Sequence, residues 1–339
     1  MGLFNIDGNS YTKHTSKPTA SYARMTEKSV GKDTTVGHWE IMGLISDKTF
    51  PTYPNGFPDE IIKKFEKQTG KKVICNKPYS GTQVLLDYGK EHEQNGDLIV
   101  YTSSDSVFQI AANEAVVPLE KLYEYCKIAR NILVGEHAVG RVIARPFVGE
   151  YPNYKRTSNR HDYSIVPPKD TALDFLKKNN FDVVSIGKIN DIFAGQGITN
   201  FITTESNKDG MEKTYKIAKC DFNGLCFVNL VDFDSMYGHR NNVSGYTKAL
   251  NNFDNWLSTF VQLLNDDDLL MITADHGCDP STESTDHSRE YTPLIVYGNK
   301  TKHVNLGTRN SFSDIAKTIL DCFSIPNDLP GESFYNLII

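Results

Sequence analysis

The second half of the chain alternates short apolar runs with helical patterns, and this alternation restricts the fold more than any other feature. The apolar runs are residues 181–186, 225–233, 268–274 and 293–297. An apolar stripe with three- and four-residue spacing lies between the second and third runs, from Tyr246 to Leu264, and this spacing is typical of an amphipathic helix. We therefore predict an α/β fold, with a mostly parallel sheet that carries helices on both faces.

Residues from about 50 to 168 follow a different pattern. This segment begins with Pro51, Pro54 and Pro58, and continues with a helical pattern and short apolar runs such as 98–102. Loops rich in Asn, Arg and Pro separate these runs. We predict that the segment is a second domain inserted into the first.

Composition excludes several classes of protein. The chain has 36 Lys+Arg against 42 Asp+Glu, a net charge of −6, so we expect neither nucleic acid nor an anionic membrane as the main partner. No apolar run approaches the roughly 18 residues of a membrane span, and we expect no secretory signal in MGLFNIDGNS. The six cysteines form no C-x-x-C pair, which indicates reduced thiols of a cytoplasmic protein.

Carboxylates and imidazoles follow the predicted strands, where open parallel sheets bind their ligands. These residues are Asp234, His239, Asp275, His276 and His287. Carboxylate and imidazole ligands without thiolates suit Mn²⁺, Zn²⁺ or Fe. Five ligands are too many for one catalytic ion that keeps an open position, which favours two ions. Taken singly, each Asp could be a turn residue and each His a surface residue. No such group of carboxylates and imidazoles surrounds His14, His92, His137 and His303, and we predict that these four are surface residues.

Thr34 is a candidate nucleophile within the glycine-rich segment 31–43. A threonine hydroxyl becomes reactive when a metal or an adjacent base activates it. The alternative is a structural role, with Asp33 or Thr34 as the N-cap of a helix. The two interpretations are compatible, because the start of a helix favours an anion.

Basic residues suggest a phosphorylated substrate. Arginine forks bind phosphate oxygens in pairs, and the candidates are Arg141, Arg145, Arg156, Arg160 and Lys188. Ser103 and Asp105 could bind sugar hydroxyls. The alternative for these residues is a solvated side chain or a turn.

Seven longer segments can be compared with known families. They are GKDTTVGHWEIMG (31–43), NKPYSGTQ (76–83), IVYTSSDSVFQIAA (99–112), GRVIARPFVGE (140–150), NRHDY (159–163), NLVDFDSMYGHR (229–240) and ADHGCDP…TDHSREYTPL (274–294). Together they resemble the bacterial-type phosphopentomutase family, which belongs to the alkaline phosphatase superfamily of metalloenzymes. The likeness spans nearly the whole chain.

The resemblance assigns the five strand-end residues to two Mn²⁺ ions. It implies that Asp234, His239 and His287 hold one ion. It implies that Asp275 and His276 hold the other, which also contacts the nucleophilic threonine.

The resemblance also implies a reaction. Thr34 would carry a phosphoryl group while ribose 1-phosphate, or 2-deoxyribose 1-phosphate, is interconverted with the 5-phosphate through a 1,5-bisphosphate. A bisphosphorylated sugar is the implied priming activator, and small pentose phosphates are the implied partners. The alternatives are a metal-dependent phosphomonoesterase of the same superfamily and an inactive protein.

Two domains are implied as well. Residues 1–48 and 169–339 would form an alkaline phosphatase-like metal-binding core, and residues 49–168 an inserted α+β cap domain for the sugar phosphate. The implied substrate-binding residues are Ser103, Asp105, Arg141, Lys188 and one of Arg156 and Arg160.

One departure from the family concerns the N-terminus. The family begins with a strand that ends in Asp-Ser-x-Gly-x-Gly, and its Asp is a metal ligand. This chain begins with GLFNI, which resembles a later stretch of the family, and Asp7 stands in a different context. We therefore expect an N-terminally truncated chain with an incomplete second metal site, a gap in the sheet and low or no activity.

Overall fold

The computed structural model describes residues 1–10 and 13–339. The chain forms two compact units. The first, which we call the discontinuous unit, consists of Met1–Lys48 and Pro167–Ile339. The second, the inserted unit, consists of Thr49–Val166.

Strands and helices of the described residues are numbered in chain order. The strands are β1 (Ser21–Met25), β2 (Val73–Pro78), β3 (Leu98–Thr102), β4 (Val107–Asn113), β5 (Arg141–Val148), β6 (Lys155–Arg156), β7 (His161–Ser164), β8 (Asp182–Ile186), β9 (Asn200–Ile202), β10 (Gly224–Val228), β11 (Leu270–Ile272), β12 (Thr292–Tyr297) and β13 (Asn305–Arg309). The helices are α1 (Thr34–Ile41), α2 (Asp59–Thr69), α3 (Gln83–Asn95), α4 (Leu119–Ile132), α5 (Ala172–Lys178), α6 (Ile189–Ile192), α7 (Asn207–Ile217), α8 (Val243–Phe260), α9 (Ser313–Cys322) and α10 (Tyr335–Ile338). Within this described part, no helix combines the length and apolar character needed to cross a membrane.

The discontinuous unit is α/β, as predicted, but its strands form two sheets. One has the order β11-β12-β1-β13, with β12 antiparallel to both neighbours and β1 parallel to β13. The other has the order β10-β8-β9 and is parallel throughout. Helices α5, α6 and α7 pack against β8. Strand β10 is an edge strand of one sheet and β11 of the other, and the residues of both are partly exposed.

Strand β10 is shorter than its apolar run predicts. The run continues to residue 233, but the strand ends at Val228. Asp232 exchanges two hydrogen bonds with Asn207 at the start of α7: its carboxylate accepts from the Asn207 N–H at 2.7 Å, and its own N–H donates to the Asn207 side chain at 2.9 Å. These bonds draw the chain away from the sheet, so the last apolar residues form a turn.

Glu40 links helix α1 to two other segments of the discontinuous unit. Its fully buried carboxylate accepts four donors. They are the N–H groups of Lys28, Ser29 and Phe312 and the hydroxyl of Ser311. Ser311 is one of these donors, and α9 begins two residues later, at Ser313, with Phe312 in the capping position.

We expect Glu40→Ala to lower the free energy of unfolding by about 3–5 kcal/mol, because the substitution leaves several buried donors without an acceptor. Urea-induced unfolding would measure the loss. Glu212→Ala, on the exposed side of α7, is the matched control and should stay within about 0.5 kcal/mol of the parent. An equal effect of the two substitutions would contradict the role of Glu40.

The inserted unit is built on a mixed sheet of the order β2-β3-β4-β5-β6, with β7 also paired to β5. One face carries an apolar cluster with α2 and α4, which includes Phe65, Phe108 and Leu122. On the other face, α3 contributes Val84 and Leu85 to a smaller cluster with β3 and β5. Beyond that smaller cluster, the second face is lined by polar residues.

His92 is not the surface residue that the sequence predicts. It is fully buried at the end of α3. Its Nδ1 bonds the carbonyl of Asp97, and its Nε2 accepts the N–H of Asn113 at 2.9 Å. Since both ring nitrogens have backbone partners, the histidine joins α3 to β4 and is part of the core.

Candidate active site

Thr34 is the first residue of helix α1. The preceding residue, Asp33, caps the helix, because its carboxylate accepts the N–H of Val36 at 3.1 Å. The Thr34 hydroxyl lies 3.4 Å from Nε2 of His276. The free N–H groups and the dipole at the start of a helix favour an anion. The hydroxyl therefore lies where a phosphoryl group would be stabilised.

Asp234 and His239 meet because of an uncommon backbone conformation. Residues Phe233–Tyr237 form a single π-helical turn, and Gly238–Arg240 form a 3₁₀ turn directly after it. Asp234 lies in the first turn and His239 in the second. The two side chains approach to 3.1 Å between Asp234 Oδ1 and His239 Nε2.

Asp275 and His276 follow β11, against helix α1. A Cβ atom at Gly37 would lie 1.9 Å from the Asp275 carbonyl oxygen, so only glycine allows this close approach of helix and strand end. His276 Nε2 lies 3.4 Å from Asp275 Oδ2. The approach brings the Asp-His pair to the hydroxyl of Thr34.

His287 returns to the site through a pairing of two loop segments. Gly277 and Ser288 exchange two backbone hydrogen bonds, which brings the ring of His287 to 3.5 Å, centroid to centroid, from that of His276. His287 Nε2 also lies 3.0 Å from Asp234 Oδ1. The five predicted metal ligands are thus gathered in one region of the discontinuous unit.

The three histidines among the predicted ligands share one orientation. Each Nδ1 lies beside a backbone carbonyl: that of Thr285 for His239, of Gly277 for His276 and of Lys32 for His287. A carbonyl partner places the proton on Nδ1 and leaves the lone pair of Nε2 free. Histidines that bind metals are held in this way.

The arrangement of Nε2 atoms and carboxylates fits a divalent cation. Nε2 of His239 and Nε2 of His287 both lie close to Asp234 Oδ1. When only Nδ1 of a ring carries a proton, acceptor faces acceptor until a proton or a cation lies between them. The ligand atoms of Asp234, His276 and His287 all lie within 4.8 Å of one another. Burial raises the pKa of Asp234, but the hydrogen bond and charge of His287 outweigh it and hold that pKa below its ordinary value.

His38 is a residue of this site that our sequence analysis missed. Its Nδ1 lies 2.8 Å from the carbonyl oxygen of Thr34 and 3.0 Å from Asp275 Oδ2. Burial would raise the pKa of Asp275, but the charge and hydrogen bond of His38 hold it far below its ordinary value. The four-residue spacing from Thr34 on a helix could have indicated this position.

Lys188, predicted to bind phosphate, lies in the discontinuous unit at the residue before α6. Burial lowers the pKa of the His38 ring, Asp275 raises it with a net upward shift, and the positive charge of Lys188 opposes that shift. Lys188 therefore acts electrostatically on the same region as Thr34 and Asp275.

Glu27 is a buried carboxylate at the margin of this region. Its Oε2 lies 3.3 Å from Arg289 Nη1. Burial raises the pKa of Glu27 from 4.5 to about 7; Arg289 lowers it, and Glu40, Asp33 and Asp275 add to the rise. Because the folded state binds this proton more tightly than the unfolded state, Glu27 contributes its full stabilisation below pH 4.5, and this contribution is lost as the pH rises through about 7.

We expect Glu27→Gln to remove this loss. The parent protein should lose about 3 kcal/mol of unfolding free energy between pH 4.5 and 8 through this group, and the variant should show a flatter profile. Chemical unfolding at several pH values without added metal would measure both profiles. Glu205→Gln, at an exposed position, is the control; identical profiles for the parent and Glu27→Gln would contradict the prediction.

The inserted unit contains a second group of predicted residues. Ser103, Asp105, Arg141, Arg156 and Arg160 all line one cavity of about 380 Å³. The cavity lies on the polar face of the sheet, and all of its lining residues belong to the inserted unit. Guanidinium groups in such numbers suit a phosphate ester.

Further residues that line the same cavity include Tyr101 on β3, Gln109 on β4 and Arg145 on β5. The sequence indicates Arg145 as one of several basic residues but does not single out Tyr101 or Gln109, which lie in apolar runs. The two-residue spacing of Arg141, Ile143 and Arg145 indicates that these three share one face of a strand.

Comparisons with known proteins agree on one family. The model of the Metalloenzyme superfamily matches residues 8–327. The chain is 62% identical to a phosphopentomutase of Lachnoclostridium phytofermentans, over 98% of this chain and 86% of that protein. It is 56% identical to a phosphopentomutase of Acetivibrio thermocellus, over 100% of this chain and 88% of that protein.

Proposed function

The chain belongs to the phosphopentomutase family of the metalloenzyme superfamily, and from this premise we propose how it acts. It is an isomerase that interconverts ribose 1-phosphate, or 2-deoxyribose 1-phosphate, and the corresponding 5-phosphate. The observation that carries the mechanism is the position of the Thr34 hydroxyl, at the start of α1 and 3.4 Å from His276 Nε2.

Thr34 is the residue that carries the phosphoryl group. The bond between its Oγ1 and phosphorus breaks as the C1 hydroxyl oxygen of ribose 5-phosphate bonds to phosphorus and the C1 hydroxyl proton passes to Oγ1, which gives the 1,5-bisphosphate. The phosphoryl group at C5 then passes to Oγ1, the Oγ1 proton passes to the C5 oxygen, and ribose 1-phosphate leaves. The N–H groups at the start of α1 stabilise the negative charge on the phosphoryl oxygens.

The predicted ligands fit two divalent ions. We assign Asp234, His239 and His287 to one Mn²⁺, and Asp275 and His276 to the other. Bound there, the ions supply Lewis acidity that neutralises charge on the transferring phosphoryl group. His38 holds Asp275 and the Thr34 carbonyl together, and so positions a carboxylate relative to the nucleophile.

Residues of the inserted unit bind the sugar phosphate. We assign Ser103 and Asp105 to sugar hydroxyls and Arg141, Arg156 and Arg160 to phosphate, and Lys188 of the discontinuous unit is a further phosphate ligand. In this proposal residues 1–48 and 169–339 are the metal-binding core, and residues 49–168 are a cap. A cap excludes the water that would otherwise hydrolyse phosphorylated Thr34.

Two further features belong to the proposal. A bisphosphorylated sugar primes the enzyme, because the cycle begins and ends with phosphorylated Thr34. The protein acts in the cytoplasm, which is supported by the absence of disulfides among the six cysteines, all of which are described and free.

Phosphorus NMR tests the reaction. The purified chain is given Mn²⁺, a bisphosphorylated sugar and ribose 1-phosphate, and we expect the signal of ribose 5-phosphate to grow while inorganic phosphate stays constant. Growth of inorganic phosphate instead would show a phosphomonoesterase. An unchanged spectrum would show an inactive protein.

A further inference from the structure

Residues outside the proposed substrate-binding set form the floor of the cavity in the inserted unit. Tyr101 on β3 lies opposite Gln109 on β4, and Gln109 lies opposite Ile143 on β5, two residues before Arg145. Side chains two residues apart on a strand share a face. Tyr101, Gln109 and Arg145 therefore lie on the same face of the sheet, and all three line the cavity.

The hydroxyl of Tyr101 is buried and has no acceptor for its proton. The residue is 1% exposed, and its ring packs in the apolar cluster with α3. Among the residues that the structure describes, none accepts a hydrogen bond from this oxygen, and the neighbouring Arg156 can only donate. Burial raises the pKa of Tyr101 and outweighs the charges of Arg145 and Arg156, so the hydroxyl keeps its proton at neutral pH. Buried donors in proteins normally have an acceptor, so this hydroxyl is available to donate to a group that enters the cavity.

The arginines of the cavity are not equally neutralised. Arg160 forms a two-pronged ion pair with Asp162, at 2.8 and 2.7 Å, and Arg141 also approaches Asp162, at 3.5 Å. Within the described ranges, no carboxylate forms an ion pair with Arg145 or Arg156. Burial lowers the pKa of Arg145, the charges of Arg160 and Arg156 lower it further, and the more distant Asp162 offsets only part of this.

Gln109 and Gly81 determine where the side chains of Arg145 and Arg156 lie. The Nε of Arg145 donates to Gln109 Oε1 at 3.0 Å, which sets the plane of the guanidinium. A Cβ atom at Gly81 would lie 1.7 Å from Arg156 Nη2 and 2.9 Å from the Tyr101 hydroxyl. Glycine at this position therefore lets Arg156 lie beside Tyr101.

We propose that Tyr101 and Arg145 form an anion seat on the floor of this cavity and make it selective for phosphorylated over unphosphorylated sugars. The Tyr101 hydroxyl donates a hydrogen bond to a phosphate oxygen, and Arg145 supplies the unneutralised charge. Gln109 is a positioning residue, because it acts through Arg145. This inference rests on the proposed function, in which the cavity receives a pentose phosphate.

Isothermal titration of the full chain with ribose 5-phosphate, ribose and inorganic phosphate tests the seat. Tyr101→Phe removes only the hydroxyl, and we expect it to weaken ribose 5-phosphate binding about tenfold, as for loss of a hydrogen bond to a charged group. Binding of ribose should not change. Tyr125→Phe, on α4 and outside the cavity, is the matched control and should bind as the parent does.

Arg145 provides a second and independent variant. Arg145→Gln should weaken ribose 5-phosphate and inorganic phosphate by about tenfold or more, and Arg145→Lys, which keeps the charge but not the fork, should weaken them less. Circular dichroism of every variant checks the fold. Parent-like affinity of Tyr101→Phe and Arg145→Gln, with weaker binding by Arg156→Gln, would overturn the seat and leave the proposed cavity intact. Failure of the parent to bind ribose 5-phosphate would overturn both.

Discussion

Thr34→Ala is expected to abolish phosphorylation of the protein. After incubation with Mn²⁺ and a bisphosphorylated sugar, the parent chain should gain the mass of one phosphate, and the variant should gain none. The reason is that the hydroxyl beside His276 is the proposed acceptor of the phosphoryl group. Mutase activity should fall by about a thousandfold or more, as for loss of a nucleophile.

Two variants serve as controls for this experiment. Thr35→Ala removes the hydroxyl of the next residue, which is buried, and should keep the added mass. Thr34→Ser keeps a hydroxyl at the same position and should also be phosphorylated. Peptide mapping locates the phosphate. Equal labelling of the parent and Thr34→Ala would falsify the assignment of the nucleophile.

Much of the discontinuous unit follows from the sequence, because its periodic patterns are strong. The apolar runs predict β8, β10, β11 and β12, and the helical stripe predicts α8. The division into two sheets was not predicted, since hydrophobic patterns show that a segment is a strand but not which strand lies beside it. The early end of β10 was missed for a related reason, because the bonds between Asp232 and Asn207 join residues far apart in the sequence.

The candidate site was predictable where one strand end carries several polar residues. The loops after β10 and β11 carry Asp234, His239, Asp275 and His276, so the rule that ligands bind beyond strand ends finds them. The role of His38 was not predicted, because it lies inside a helix, where the sequence pattern does not distinguish a functional histidine from a packed one. Tyr101 escaped because it lies in a continuous apolar run, and only the buried hydroxyl without an acceptor distinguishes it from its neighbours in the folded cavity.

Asp234→Asn is expected to have the largest effect on metal binding. Its Oδ1 is the atom that both His239 and His287 approach, so the substitution removes a charged ligand from the centre of the cluster. We expect Mn²⁺ affinity to fall by more than the roughly 10–100-fold that follows loss of an outer hydrogen-bond partner. Titration followed by Mn²⁺ electron paramagnetic resonance would measure it.

Asp279→Asn is the matched control for this variant. It makes the same change of charge in the loop that contains His276, at an exposed carboxylate that accepts hydrogen bonds from Ser281. Because Asp279 lies outside the cluster of Asp234, His276 and His287, Asp279→Asn should bind Mn²⁺ as tightly as the parent does. Equal losses of affinity in the two variants would contradict the role of Asp234.

The pH dependence of binding gives a second readout of the same cluster. Burial lowers the pKa of His287, but the hydrogen bond and charge of Asp234 raise it, with a net upward shift. A proton on His287 occupies the position that a cation needs, so binding of Mn²⁺ must displace it. Affinity should therefore rise with pH, by about tenfold per pH unit for each proton displaced. In Asp234→Asn, which lacks the carboxylate that holds this proton, the rise should be shallower, and titrations in buffers of different ionisation enthalpy would count the protons released.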